Sequence, residues 1–381
     1  MTIVFYVSGH GFGHASRDIE VINALHERSP DTRIIVRSST PKWLFDLTLL
    51  APVEWLPAEC DTGVVQIDSL RVDVPASLQR AREFHENLDV RASTEAGLLR
   101  QWDARLVVGD IPPLAFAAAH EAGLPVIALG NFTWDWIYAA YEEVDTLAPS
   151  LVSTISRAYA RAVLALRLPM HGGFEPFRTV RDVPFIARRS RRDPAEVRRR
   201  FGLPPEERLV LASFGGYGLR SLDLDALAEL DGYTVVITSD VEASRRGDGV
   251  GSHAPGTGGR LPAAVRLVPE NALYEAGYRY EDLVSAVDVV VTKPGYGIIA
   301  ECAANRTAML YTSRGRFIEY DVLVREMPRY VSCGYMSNEE LLQGRWQTPL
   351  DRLMGQLVPR QPDVSGADVV AGILADRVGA G

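Results

Sequence analysis

Short, almost continuously apolar runs alternate with segments of helical period along the first half of the chain. Four such runs predict strands at 2–8, 33–39, 104–110 and 124–130. Unbroken apolarity is typical of parallel strands whose two faces are both covered. Helical patterns at 15–28 and 113–122 lie between them. The alternation predicts βαβ units with right-handed crossovers.

The same alternation starts again in the second half. Strands are predicted at 208–216, 233–239, 264–270, 287–293 and 306–312, and helices at 194–201, 281–286, 297–304 and 318–327. A basic, polar stretch at 187–200 separates the two series and suits a linker, either as a solvated arginine-rich helix face or with a functional role. A stretch rich in Gly, Ser and Pro at 243–262 predicts a mobile surface loop.

These two series predict an α/β fold with two Rossmann-like domains that face each other across a cleft. We place the N-terminal domain at 1–188 and the C-terminal domain at 189–360, with a last helix within 361–381 that packs back on the N-terminal domain. Ligands of open α/β sheets bind outside the carboxyl ends of the strands, so the cleft is the expected site.

Composition narrows the function. The chain has 381 residues, 23% of them charged, with a net charge of −9, which argues against a general binder of nucleic acid or of membrane surfaces. We find no leader segment and no apolar run long enough to cross a bilayer, so we expect a cytoplasmic protein. The three cysteines are far apart and predict neither a disulfide framework nor a zinc site.

The first predicted strand ends in a glycine-rich loop that carries histidines. Gly9, Gly11 and Gly13 permit a tight turn, but His14 stands where a dinucleotide fingerprint needs its third glycine. The second strand also ends without the acidic residue of that fingerprint. His14 falls in the first turn of the next helix, where the dipole favours a neutral imidazole suited to a general base. A histidine that only caps the turn is the alternative.

Asp110 ends a predicted strand next to the first one. Its carboxylate can accept a hydrogen bond from one ring nitrogen of His14 and so fix the tautomer. An N-cap before Pro112 is an equally good interpretation.

An aromatic cluster follows the fourth strand, at Phe132, Trp134, Trp136 and Tyr138. Aromatic faces stack on sugars and flat acceptors, whereas core packing is expected to use about half of them.

The second domain carries the candidate anion site. Its first strand runs into Gly215 and Gly216, whose backbone N–H groups can face a phosphate. A later strand ends at Lys293, and Gly295, Tyr296 and Gly297 lead into a helix whose free N–H groups suit a diphosphate. Two carboxylates complete the donor side in this interpretation: Glu301, one turn further, for ribose hydroxyls, and Glu319 for sugar hydroxyls. No sequence pattern predicts a metal site.

Together these residues resemble the GT-B fold glycosyltransferases and, more specifically, the N-terminal glycosyltransferase-like region of L-arabinokinase proteins. The segments that carry the resemblance are "VSGHGFGHASR", "AECDTGVVQIDSLRVD", "GNFTWDWIYAAY", "RLPMHGGFEPFRTVRDVPFIARR", "SFGG" and "KPGYGIIAE", nearly the whole chain. The sugar-kinase domain of those proteins has no counterpart here, so we expect no kinase activity.

The resemblance implies a role for each matched residue. His14 would be the base and Asp110 its orienting partner; Gly215, Gly216, Gly295 and Gly297 would hold the diphosphate; and Glu301 would bind the ribose. Loops near Glu270 and Asn271 would border the nucleotide, and His10, Gly11, Phe12, Trp134 and Trp136 the acceptor. Glu319 is followed by Tyr320, where many relatives have an acidic–amide pair, so the donor sugar stays open.

The resemblance therefore implies an inverting, metal-independent glycosyltransferase that uses a nucleotide-diphosphate sugar, UDP-linked by analogy, and no further cofactor. Two alternatives are a sugar-nucleotide epimerase of the same fold and a non-catalytic sugar-nucleotide binding or regulatory protein. The acceptor and the oligomeric state are not predicted.

Overall fold

The computed structural model describes residues 1–68, 70–214, 222–239 and 261–379. Two parallel sheets, each covered by helices on both faces, account for nearly all of this part of the chain. The predicted fold class, two Rossmann-like domains, is confirmed. The predicted loop at 243–262 lies outside the described residues up to position 260, as do Gly215 and Gly216.

The first sheet has seven parallel strands in the order β3-β2-β1-β6-β7-β8-β9. Its strands are β1 Thr2–Val7, β2 Arg33–Ser38, β3 Val53–Pro57, β6 Ala104–Asp110, β7 Val126–Gly130, β8 Leu164–Arg167 and β9 Val180–Asp182, and a separate antiparallel hairpin pairs β4 Val65–Gln66 with β5 Val72–Asp73. All four predicted strands are present. Since β1 lies directly beside β6, the loops that follow Val7 and Asp110 leave the sheet side by side.

The helices of this half are α1 Phe12–Arg28, α2 Lys42–Thr48, α3 Val74–Glu86, α4 Leu88–Gln101, α5 Pro113–Ala122, α6 Trp134–Ala139, α7 Val144–Leu147 and α8 Leu151–Tyr159. Helix α1 begins three residues before the predicted start, because Gly11 takes a positive φ of 77° at its N-cap. A glycine adopts that backbone conformation at no steric cost. The helix therefore opens immediately after the glycine loop.

The second sheet has six parallel strands in the order β12-β11-β10-β13-β14-β15. They are β10 Arg208–Ser213, β11 Tyr233–Ser239, β12 Val265–Pro269, β13 Val289–Thr292, β14 Ala308–Tyr311 and β15 Cys333–Tyr335. The helices are α9 Pro194–Arg200, α10 Leu224–Leu227, α11 Glu270–Glu275, α12 Tyr280–Ala286, α13 Tyr296–Asn305, α14 Ile318–Glu326, α15 Asn338–Leu342, α16 Gln347–Met354 and α17 Gly366–Gly379, with a 3₁₀ turn at Met327–Arg329. The five predicted strands are present, each within three residues of its predicted bounds.

Helix α17 packs on α1 of the first sheet rather than on the second sheet. Val370 and Leu374 are fully buried in the same apolar cluster as Ile3 and Ile22. The end of the described chain thus belongs structurally to the N-terminal half.

Candidate functional site

The first turn of α1 brings His14 to the carboxyl end of β6. His14 Nδ1 lies 2.8 Å from Asp110 Oδ1, and the two side chains are almost completely buried. An ionised carboxylate only accepts hydrogen bonds, so the proton between them belongs to Nδ1. Within the described residues no hydrogen bond reaches Nε2, which leaves that nitrogen as an acceptor.

Arg17, which the sequence interpretation did not include, completes this group. Its guanidinium donates to both oxygens of Asp110 and to Asn131 Oδ1, and its Nη2 lies 2.9 Å from His14 Nδ1. The attraction of Arg17 helps hold the pKa of the Asp110 carboxyl below its usual value although burial opposes ionisation. Arg17 follows His14 by three positions, and that helical spacing is the signal that could have revealed it.

Aromatic rings from the segment after β7 lie beside the histidines of the glycine loop. Phe132 meets His14 edge-on with ring centroids 5.5 Å apart, and Trp134 meets both Phe132 and His10 in the same way. Trp134 is 2% exposed and its Nε1 donates to Asp61 Oδ2 at 2.8 Å. Trp134 is therefore a buried wall of the site.

Two predicted acceptor residues lie apart from this group. Trp136 is half-buried and its ring packs against Gly172. Phe12 is 38% exposed and contacts Trp43, with ring centroids 5.5 Å apart. The structure thus joins His10 and Trp134 to the His14 group, but not Phe12 or Trp136.

The N-terminus of α13 meets the N-terminus of α1 across the cleft. A Cβ added to Gly297 would lie 3.8 Å from the Cα of Gly13, and the ring of Tyr296 stacks on Phe132 with centroids 5.9 Å apart. The ends of both helices carry unpaired N–H groups and partial positive charge. The predicted anion loop of the second domain therefore lies next to the predicted base of the first.

A cluster of cationic side chains stands beside these helix ends. Burial and the neighbouring charge of Arg314 lower the pKa of Lys293 to about 7. Burial, together with Arg314, His14 and Lys293, lowers the pKa of His10 to about 3, so that His10 is neutral. Arg314 donates from Nη1 to Glu319 Oε1 at 2.7 Å, whereas no ion pair engages Lys293 in the part of the chain that is described.

Glu319 and Glu301, both predicted to bind hydroxyls, are each paired with an arginine. Glu319 is held by Arg314, and Glu301 accepts from Arg188 Nε at 2.8 Å. Sequence reasoning gave neither carboxylate a partner. Arg188 lies 113 positions from Glu301, whereas Arg314 lies only five positions before Glu319. Both carboxylates are buried.

The remaining donor-side predictions fall at strand ends of the second sheet. Glu270 opens α11 directly after β12, and the Oδ1 atom of the adjacent Asn271 is buried without a hydrogen-bond partner among the described residues. Tyr280 donates to Ser213 Oγ at 2.6 Å, at the carboxyl end of β10. Gly295 caps α13 in an extended conformation.

No group of three or more His, Cys, Asp or Glu side chains is arranged to hold a metal ion among the residues with described positions. Within the same residues, no helix combines the length and apolarity needed to span a membrane.

Solved structures with the same architecture are glycosyltransferases of the GT-B fold. The calicheamicin glycosyltransferase CalG4 matches 99% of this chain and 97% of its own with a TM-score of 0.60 at 14% identity. The glycosyltransferase VinC in complex with DTDP matches 100% and 96% with a TM-score of 0.56 at 17% identity. A Phytolacca americana enzyme complexed with UDP-2-fluoro-glucose and pterostilbene gives 0.59 at 13% identity, covering 100% and 94%. The fold of this protein is that of GT-B glycosyltransferases.

At the level of sequence, the chain is similar to L-arabinokinase of Arabidopsis thaliana, with 28% identity over 388 residues. The match takes in 99% of this chain but 34% of that protein, so the chain spans about a third of its relative's length. No family model matches. The predicted resemblance to both groups of proteins is confirmed.

Proposed function

We propose that the protein is a glycosyltransferase that moves a sugar from a nucleotide-diphosphate sugar, UDP-linked, to an acceptor hydroxyl with inversion. The observation that carries the proposal is the meeting of two groups at one cleft. The His14–Asp110 pair comes from the first sheet, and the cationic group of Lys293, Arg314 and the α13 N-terminus comes from the second. The first suits proton removal and the second suits a leaving diphosphate.

In this mechanism His14 Nε2 takes the proton of the acceptor hydroxyl as its oxygen attacks the anomeric carbon. Asp110 keeps the Nδ1 proton in place, and its ionised state stabilises the imidazolium that forms. The charge that develops on the diphosphate is met by Lys293, Arg314 and the N–H groups of α13. These fixed positive groups are the reason why we propose a metal-independent reaction.

A binding screen tests the donor side of this proposal. Thermal unfolding is followed with UDP, GDP, ADP and TDP and with their sugar conjugates, because a ligand that binds only the native state raises the unfolding temperature by mass action. We expect uridine nucleotides to give the largest shift. The absence of a shift with every nucleotide would refute a donor site in this cleft.

The variant His14→Ala tests the chemical side. We expect it to keep nucleotide affinity and to lose transfer, measured as release of nucleoside diphosphate with a panel of hydroxylated acceptors, by about 10²–10⁴-fold, the range of general base catalysis. His120→Ala, at an exposed position near the end of α5, is the matched control. Turnover at the wild-type rate in His14→Ala would refute the base assignment.

One observation favours a second candidate, a non-catalytic sugar-nucleotide binding or regulatory protein. Arg17 donates to both oxygens of Asp110 and thereby neutralises part of the charge that a base would use. The match to part of a longer kinase agrees with such a role. Tight nucleotide-sugar binding without transfer to any acceptor, and without hydrolysis, would favour this candidate.

A further inference from the structure

Arg188 lies in the segment that joins the two sheets, and hydrogen bonds from both the backbone of this segment and the Arg188 side chain hold it against α13. Its backbone carbonyl accepts from Asn305 Nδ2 at 3.1 Å, and two residues later the Ser190 N–H donates to Asn305 Oδ1 at 2.9 Å. Its guanidinium reaches Glu301, one turn before Asn305 on the same helix, with Nε 2.8 Å from Oε1. The side chain is 13% exposed. The hydrogen bonds with Asn305 thus fix the backbone from which the Arg188 side chain extends towards Glu301.

The contact with Glu301 is one-sided. Arg188 donates from both Nε and Nη2 to Oε1, and in the described ranges of the chain no hydrogen bond reaches Oε2. Glu301 as a residue is only 4% exposed, but Oε2 is not among the fully buried side-chain oxygens of the described residues that lack a partner. Because Arg188 engages only Oε1, Oε2 is free to accept from a ligand that brings hydroxyl groups.

Arg188 also lies close to residues at the strand ends of the second sheet. The Arg188 guanidinium lies 5.8 Å from the centre of the Tyr280 ring, and Tyr280 donates to Ser213 at the end of β10. Arg188 Nη1 also stands 3.9 Å from Glu281 Oε2, so that one cation faces two buried carboxylates. Burial raises the pKa of the Glu301 carboxyl above its usual value even beside Arg188, and Arg188 opposes that shift, so its loss would favour the neutral form further.

We propose that Arg188 is a positioning residue for nucleotide binding, which holds Glu301 Oε1 so that Oε2 accepts from the ribose hydroxyls. This inference rests on the proposed function and on the ribose-binding role that the resemblance to GT-B glycosyltransferases implies for Glu301. Arg188 itself does not contact the nucleotide. Arg188, which lies in the segment between the two sheets, thereby sets the affinity of Glu301 for the ribose of the donor.

The test is isothermal titration calorimetry of Arg188→Met with UDP, GDP and ADP, each beside its 2′,3′-dideoxy counterpart. We expect the wild-type protein to bind the ribonucleotide about tenfold or more tightly than the dideoxy form, the strength of hydrogen bonds to a charged group. We expect Arg188→Met to lose about tenfold in affinity for the ribonucleotide and almost nothing for the dideoxy form. Glu301→Gln should give the same pattern.

The matched control is Arg198→Met. Arg198 is 15% exposed and pairs with Asp288 at 2.9 Å, but at the amino ends of β10 and β13, away from the cleft. We expect this variant to lose stability without any change in ribose preference. Arg188→Lys keeps the charge but offers a single point donor, and should retain part of the preference even if Arg188→Met does not fold.

A second measurement separates positioning from a merely structural role. Loss of the cation in Arg188→Met raises the pKa of Glu301, so that Glu301 becomes neutral at a higher pH than in the wild-type protein. The preference for the ribonucleotide should therefore return as the pH is raised and Glu301 ionises. Equal weakening of the ribonucleotide and dideoxy complexes, or an unchanged preference in Arg188→Met, would overturn the inference while leaving the proposed function intact. If the wild-type protein binds none of the six nucleotides, the proposed function fails and the inference falls with it.

Discussion

Lys293 gives the proposed donor site a measurable dependence on pH. Its amine is half-buried beside Arg314, and these two causes lower its pKa to about 7 in the ligand-free protein. A diphosphate placed next to it favours the charged form by about 4 kcal/mol at a separation of about 4 Å and an effective dielectric constant of about 20. That energy is enough to keep Lys293 protonated in the complex up to alkaline pH, because one pKa unit corresponds to about 1.4 kcal/mol.

The size of the expected pH effect on UDP affinity follows from the fraction of Lys293 that is protonated in the free protein. Half of the Lys293 side chains are protonated at pH 7 and about one in a hundred at pH 9, so affinity for UDP should fall about 50-fold over this range. The sign is fixed by the direction of the shift: binding raises the pKa of Lys293, so affinity is lost as the pH rises above its value in the free protein. The terminal phosphate of UDP loses its last proton near pH 6 and contributes little above pH 7.

Calorimetry in buffers of different ionisation enthalpy is the assay. At pH 8 the wild-type protein should take up about 0.9 proton for each UDP bound. Lys293→Arg, which is charged throughout, should bind UDP with no such uptake and with a flat profile between pH 7 and pH 9. Lys293→Met should bind weakly and with an equally flat profile. Wild-type binding without proton uptake, or a pH dependence that persists in Lys293→Arg, would show that Lys293 does not face the diphosphate.

Two further outcomes follow from buried contacts. Asp110→Asn removes the charge that fixes the Nδ1 proton of His14 and leaves Arg17 without its main acceptor. Steady-state rates of transfer should therefore fall about 10²–10⁴-fold, while the UDP affinity measured by calorimetry stays within about threefold. An unchanged rate would contradict the orienting role of Asp110. Leu374→Ala opens a cavity between α17 and α1 and should lower the free energy of unfolding of the N-terminal half by about 2–5 kcal/mol in urea titrations. The half-buried neighbour Ile373→Ala is the control and should cost clearly less; equal losses would mean that α17 is not anchored through Leu374.

Much of the fold was predictable because its strands are buried on both faces. The centres of two predicted strands, at 3–7 and 289–291, consist only of apolar residues, and this pattern suffices to place β1 and β13. Two of the strands that sequence reasoning missed, β3 with Glu54 and Pro57 and β9 with three exposed residues, are the two edge strands of the first sheet, where burial is incomplete. Their pattern is too polar and too short to differ from that of a loop.

The site was predictable to the extent that it follows from strand ends. His14 and Asp110 were placed together because β1 and β6 were expected to be neighbours, and their 2.8 Å contact agrees with that reasoning. The arginines that pair with the carboxylates of the site were not predicted. Arg17, Arg188 and Arg314 are three of the 40 Lys and Arg residues in the sequence. The helical spacing from His14 could have indicated Arg17, but nothing in the immediate neighbours of Arg188 or Arg314 distinguishes them from the rest.

The sequence by itself determined the periodic burial that makes two parallel sheets, and the glycine loops that place two helix N-termini at strand ends. Both are local properties, since they depend on side-chain period and on backbone freedom within a few residues. Only the tertiary structure decided which buried charges from distant parts of the chain face each other: Arg17 with Asp110 across 93 positions, and Arg188 with Glu301 across 113 positions. Such pairs form because desolvation makes an unpaired buried charge costly, and this cost arises only when packing brings distant segments of the chain together.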